Sequence, residues 1–224
     1  MNARRALVVV LILASAGPGR AEVNRPVADI VSPIWSDPAH RDAAHEVEQI
    51  VARAGLRPGL TVADIGAGSG YDTLRLAKVV GPRGVVFAED VTPTYLQQLR
   101  EAVVVEHIGN VQVIEGQVGD PRLPPRSVDV AIMVHMYHEV REPMALLARL
   151  APAFRAGGRL GIEELDRPIR SHGTPPKLLV CELAAAGYSL TSLAPLNGGL
   201  GYFAVFAPPR GARPRPSNPA ACPG

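Results

Sequence analysis

Short runs that are apolar on consecutive positions, each followed by an amphipathic stretch, recur from residue 61 onward. No other feature of the chain restricts its fold as much. Candidate strands lie at 61–65, 84–88, 111–115, 128–134 and 159–163, with candidate helices at 71–80, 93–107 and 143–154 between them. A strand with no polar face has to be covered on both sides, and helices between successive strands supply that cover while returning the chain for parallel pairing. The expected class is therefore α/β, a doubly wound and mostly parallel sheet. After a further helix at 175–186, the apolar runs 188–194 and 202–207 are joined around "PLNGGLG". That link is too short for a crossover helix, so the last strand is expected to run against the others.

The 224 residues suit one domain of ordinary size once the ends are set aside. Residues 1–5 are basic, 6–16 form a short apolar run and 17–21 are small, which is the layout of a secretory signal and too short for a comfortable membrane span. Export to a periplasm or the exterior is the expectation; a retained membrane anchor, or a cytoplasmic protein with a misplaced start, are the alternatives. Residues 22–56 read as a helical cap. In it "DPAHRDAAHEVEQIVARAGL" places Asp37 at an N-cap, Pro38 at the first helical position and Gly55 at the end. From residue 208 the chain is Pro, Gly and Arg with little to bury, so the tail 208–224 is expected to be disordered. Cys181 falls in a helix and Cys222 in that tail, and the expectation is a buried inert thiol at Cys181 with no bridge between them. The net charge of +2 supplies no basic stripe for nucleic acid and no patch for a membrane surface.

The first strand, "VADI", breaks into Gly66-Ala67-Gly68-Ser69-Gly70 before the first helix. Gly66 permits a tight turn, Gly68 lets a ligand approach the backbone, and the helix starting near Tyr71 directs free N–H groups into the crevice. A dinucleotide fingerprint would need its third glycine at position 71, which is tyrosine. Asp64 places a carboxylate beside the turn, which opposes a pyrophosphate and suits a ligand carrying ammonium and sulfonium, as S-adenosylmethionine does. The second strand ends in "VVFAEDV", about twenty residues past the glycines, where an acid can accept from both ribose hydroxyls. Asp90 is the choice and Glu89 the alternative.

With these motifs, and with "LPPRSVDVAIMVHMYHEVREP" and "LARLAPAFRAGGRLGIEE", the chain resembles the class I S-adenosylmethionine-dependent methyltransferases over residues 57–207. The resemblance implies a Rossmann-like seven-stranded sheet with an antiparallel last strand, S-adenosylmethionine as cofactor, and a cofactor site built on Asp64, Gly66, Ala67, Gly68, Gly70, Asp90 or Glu89. It also implies an adenine contact just after the third strand, on Gln117 and Val118, with Asp120 as the alternative to Gln117.

"VHMYHEV" follows the fourth strand, so His135, His138 and Glu139 fall at the carboxyl edge where ligands bind in such sheets. His135 or His138 is the candidate general base. No metal is expected, because this spacing is not that of a helical H-E-x-x-H site and lacks a third ligand. His172 could line the same crevice, and Trp35 could cover the cofactor or plug the sheet edge. The expected reaction is methyl transfer to a small-molecule acceptor. Alternatives are a protein isoaspartate-type methyltransferase, which "GSGY" resembles, and a domain that binds the cofactor without turnover. Tyr71 disfavours a nicotinamide oxidoreductase.

Overall fold

The computed structural model describes residues 26–30, 38–209 and 222. The leader, Asp37, Trp35 and residues 210–221 lie outside the described residues, and with them the expectations of a signal segment, an N-cap, a cofactor cover and a disordered tail.

Two short helices, α1 (Pro38–Ala43) and α2 (Glu46–Ala54), precede a run of strands and helices: β1 (Thr61–Ile65), α3 (Tyr71–Val80), β2 (Val85–Asp90), α4 (Pro93–Val105) and β3 (Val111–Glu115). The chain continues through β4 (Val128–Val134), α5 (Pro143–Leu150), β5 (Phe154–Glu164), α6 (Pro176–Ala185), β6 (Ser189–Pro195) and β7 (Tyr202–Ala207). All seven strands form one sheet in the order β3-β2-β1-β4-β5-β7-β6. The first five are mutually parallel, and β7 is antiparallel to both β5 and β6. This is the expected class, with the last strand reversed as the short Asn-Gly-Gly link requires.

Alternate residues of the central strands enter two cores, one on each face. Ala63, Ile65, Ala131 and Met133 pack with Leu147, Leu150 and Leu179, while Val62, Val130 and Ile132 pack with Ile50, Leu76 and Val80. The strict two-residue period of the strand thus explains why no position in β1 can be polar unless its side chain finds a partner.

The single helix expected over 38–54 is two, because His45 adopts a left-handed conformation at φ +53° between them. The break lets α2 bury Val47, Ile50 and Ala54 in the second core and brings Glu46 inside against Arg41. Strand β2 runs on to Asp90 rather than ending at Ala88, and both added carboxylates are buried. Strand β5 begins at Phe154, which pairs with Val128 across a register shift, while α5 stops at Leu150 ahead of a turn of 3-10 helix containing Pro152.

Cys181 and Cys222 are joined in a disulfide, so the expectation of an isolated, buried thiol is corrected. Cys181 lies on a half-buried flank of α6 rather than in the core, where the tail can reach it. In the unfolded chain the bridge closes a span of 41 residues. Closing such a span removes entropy from the denatured ensemble, for a gain of about 2–4 kcal/mol. Cys222→Ser is accordingly expected to lower the unfolding free energy by about that amount in urea titrations, with reductant removing the difference from the wild type.

Candidate functional site

The turn after β1 is built on glycines in left-handed conformations, at φ +73° for Gly66, +54° for Gly68 and +99° for Gly70. A Cβ at Gly66 would lie 2.9 Å from Met136 Cγ, and one at Gly70 would lie 2.4 Å from Leu99 Cδ1. Side chains are therefore excluded by both conformation and space. The end of β2 braces this turn. Asp90 Oδ2 accepts from the Gly68 N–H at 2.9 Å, Asp90 Oδ1 accepts from the Thr92 N–H at 2.8 Å, and the Ala67 N–H donates to the Glu89 carbonyl at 2.8 Å.

A cavity opens above the carboxyl ends of β1, β2, β3 and β4. Gly66, Ala67 and Gly68 form its floor, Glu89 and Asp90 one wall, and Gln117 and Val118 the wall beyond them. Gly70 does not line it; that residue caps α3. Asp120 turns away, accepting from Arg149 at 2.6 Å and from the Arg122 N–H at 3.0 Å, whereas Gln117 and Val118 line the cavity.

Two expectations need correction. Asp64 is not on the rim: only 2% exposed, it lies under the turn and its Oδ2 accepts from the Thr73 hydroxyl at 2.6 Å. The acidic lining comes instead from Asp72, Glu89, Asp90 and Glu139. Burial, reinforced by Asp72, pushes the Asp64 carboxyl up to about 7, and burial with Asp90 beside it pushes Glu89 up to about 8.

The second correction concerns His138, which does not reach the cavity. A turn of 3-10 helix at Tyr137–Glu139 points it inward, where Nδ1 lies 2.9 Å from Glu164 Oε2 and the ring meets His172 edge-on at 5.5 Å. His172 is likewise absent from the cavity wall. His135 does line it, yet its Nε2 faces Glu163 Oε1 at 3.3 Å and Glu46 Oε1 at 3.4 Å. Burial alone would depress this imidazole, but the two carboxylates overrule it and push it up to about 10.

The residues missed by the sequence reading are Arg41, Glu46, Asp72 and Glu163. Arg41 is buried at the cavity edge, donates to Glu46 Oε2, and reaches Asp72 at 2.8 and 3.1 Å with its guanidinium 3.8 Å from the Tyr71 ring centroid. A signal existed for Glu46: it shares a helix stripe with Ile50 and Ala54, four and eight positions on, where a solvated acid does not belong. Glu163 and Glu164 similarly close an apolar strand and are both buried.

Comparison with known proteins agrees with this geometry. A family model described as a methyltransferase domain matches residues 62–158. The chain is 32% identical over 114 residues to the arsenite methyltransferase of Halobacterium salinarum, covering 51% of this chain and 29% of that protein. It is 28% identical over 152 residues to the ubiquinone/menaquinone biosynthesis C-methyltransferase UbiE of Ectopseudomonas mendocina, covering 66% of this chain and 58% of that one. The chain thus spans less than two thirds of the length of both curated relatives. Among solved structures, a SAM-dependent methyltransferase from Aquifex aeolicus superposes with a TM-score of 0.66 at 26% identity, covering 76% of this chain and 97% of that one.

Proposed function

We propose, from the premise that this chain carries a methyltransferase domain of the class I, S-adenosylmethionine-dependent fold, that it transfers the cofactor's methyl group to a small-molecule acceptor. The observation that carries this reading is the pairing of a glycine-rich turn with an acidic wall in one cavity. Its residues fit the cofactor. Asp90 stands where ribose hydroxyls would donate to it, Gln117 offers an acceptor for the adenine amino group, and the turn leaves room for close backbone approach. Tyr71, in the cavity wall at the position where a dinucleotide fingerprint needs its third glycine, argues against a dinucleotide.

When bound, S-adenosylmethionine supplies a methyl group already activated on a sulfonium. The protein's task is then alignment and exclusion of water, which can supply most of the acceleration. His135, Met136, Glu139 and Val140 wall the side of the cavity left for an acceptor. His135 is poorly suited to the role of general base, since an imidazole raised to about 10 already holds its proton at neutral pH.

The Cys181–Cys222 bridge supports the export reading, because oxidising compartments preserve such bonds. Fractionation of expressing cells tests it, and protein confined to the cytosolic fraction with both thiols reduced contradicts it.

Calorimetric titration with S-adenosylmethionine tests the cofactor, and transfer of a labelled methyl group to fractionated small-molecule extract tests the reaction. No binding at millimolar cofactor overturns the reading. Binding without transfer identifies a domain that has lost turnover, and labelling of an isoaspartyl peptide identifies a protein acceptor.

Affinity is expected to depend on pH. With Asp64 raised to about 7 and Glu89 to about 8, these two carboxyls hold more protons in the cofactor-free fold than in the unfolded chain, so their contribution to stability declines as pH rises from about 4 to about 8. A cationic ligand favours the ionised carboxylates, so binding releases protons and tightens from pH 6 to 8, by up to about tenfold for each unit by which a carboxyl is shifted. Titrations in buffers of different ionisation enthalpy measure the protons released; uptake would contradict the assignment.

A further inference from the structure

We infer that Glu46, His135 and Glu163 form a binding site for one divalent cation of the zinc or manganese type, set behind the cavity wall. The three come from separate parts of the chain. Val134 pairs with Glu163 across β4 and β5, and the His135 N–H donates to the Glu163 carbonyl at 3.1 Å, so the two side chains emerge together from adjacent strand ends. Glu46 is delivered to them by the first turn of α2. The donor atoms of all three lie within 4.8 Å of one another.

What points to a ligand is the state of these donors. Glu46 and Glu163 are wholly buried, and Glu46 Oε1, both oxygens of Glu163 and His135 Nδ1 make no hydrogen bond among the described residues. Arg41 occupies only the other oxygen of Glu46, Oε2. Buried carboxylates are ordinarily paired, hydrogen-bonded or bound to metal. One imidazole N–H cannot satisfy both acids, and the spacings from His135 Nε2 of 3.3 Å to Glu163 and 3.4 Å to Glu46 are long for charge-assisted hydrogen bonds, which run to about 2.7–2.9 Å.

Those spacings do match another geometry. Ligands about 2.1 Å from a tetrahedral ion stand about 3.4 Å from each other. One imidazole with two carboxylates is a borderline donor set, suited to zinc or manganese rather than to a soft thiophilic ion or to calcium. The charges also close: an ion that displaces the proton of His135 is balanced by two carboxylates and a neutral imidazole, whereas Arg41 is already shared with Asp72. Three protein ligands leave a further coordination position. Glu46 and Glu163 are wholly buried and absent from the cavity wall, so the ion meets the acceptor side only through the ring of His135.

Untagged full-length protein, stripped with chelator, is titrated calorimetrically with Zn2+ and with Mn2+ in the absence of cofactor. One equivalent of at least one ion is expected to bind. Glu163→Gln and His135→Asn are expected to weaken it at least about tenfold while His172→Ala leaves it unchanged. Failure of both ions to bind overturns the site, as does binding that survives both substitutions or is lost in His172→Ala, which would place the ion on the His138, Glu139 and His172 cluster instead. Should the first two variants fail to fold, X-ray absorption on the zinc-loaded wild type decides: one imidazole supports the site and two overturn it. Cofactor titration of the same stripped sample separates this inference from the functional one, since cofactor binding without metal uptake removes only the metal site.

Discussion

Asp90→Ala is expected to weaken S-adenosylmethionine binding by at least about 100-fold in calorimetric titration. Each hydrogen bond from a neutral donor to a carboxylate contributes about 1.5–3 kcal/mol, and Asp90 would accept from two ribose hydroxyls. The same side chain positions the floor of the site, holding the Gly68 and Thr92 N–H groups at 2.9 and 2.8 Å. Its loss therefore removes ligand contacts and loosens the turn at once. Asp90→Asn, which keeps one acceptor oxygen, should fall between alanine and the wild type. Glu89→Gln is the control. Glu89 is protonated over much of the neutral range at about 8 and packs on Gly116, where a Cβ would lie 1.7 Å from its Oε1, so this change should cost much less. Equal or greater loss in Glu89→Gln would transfer the ribose role to Glu89, and unchanged affinity in Asp90→Ala would remove it from this wall.

Arg41→Met is expected to lower the unfolding free energy by about 3–5 kcal/mol, the range for removing one partner from a buried ion pair. Arg41 is 6% exposed and bridges Glu46 in α2 to Asp72 in α3. Methionine replaces the stem but strips Asp72 of its cation and leaves Glu46 only the imidazole of His135. Desolvation is the main cost, so relieving it should recover stability. Arg41→Met combined with Asp72→Asn is expected to lose less than the two single changes added together, with a coupling above about 1 kcal/mol. Urea denaturation at constant pH measures all four species. Simple additivity would mean that the arginine acts through packing over Tyr71 alone.

The two predictions fall on opposite sides of what could be read in advance. Asp90 was legible because an acid closing an apolar run at a fixed distance from a glycine turn is a local pattern. Arg41 was not, although Glu46 on the buried stripe of α2 carried a hint. His135 and His138 look equivalent in "VHMYHEV", and only the fold separates them. A left-handed residue at His135 followed by a 3-10 turn sends one ring to the cavity wall and the other to Glu164. Asp64 was read as a rim carboxylate because position along β1 says which face a side chain takes, but not that Thr73 would draw it beneath α3. The disulfide was missed for a related reason: composition marks the tail as having nothing to bury, and says nothing about where a single cysteine in it can be tethered.

By itself the amino-acid sequence determined the class of sheet, the order of its elements, the reversed last strand and the glycine turn with its acid partner. These follow from residue periods of two and 3.6 and from backbone conformations that only glycine tolerates, all of which act within a few neighbouring residues. The tertiary structure alone decided that Glu46, His135 and Glu163 share one buried point, that Arg41 locks the first helices to α3, and which histidine meets the cavity. Those arrangements join residues tens of positions apart. They depend on how helices settle on the sheet and on where buried charges find partners, which no local pattern specifies.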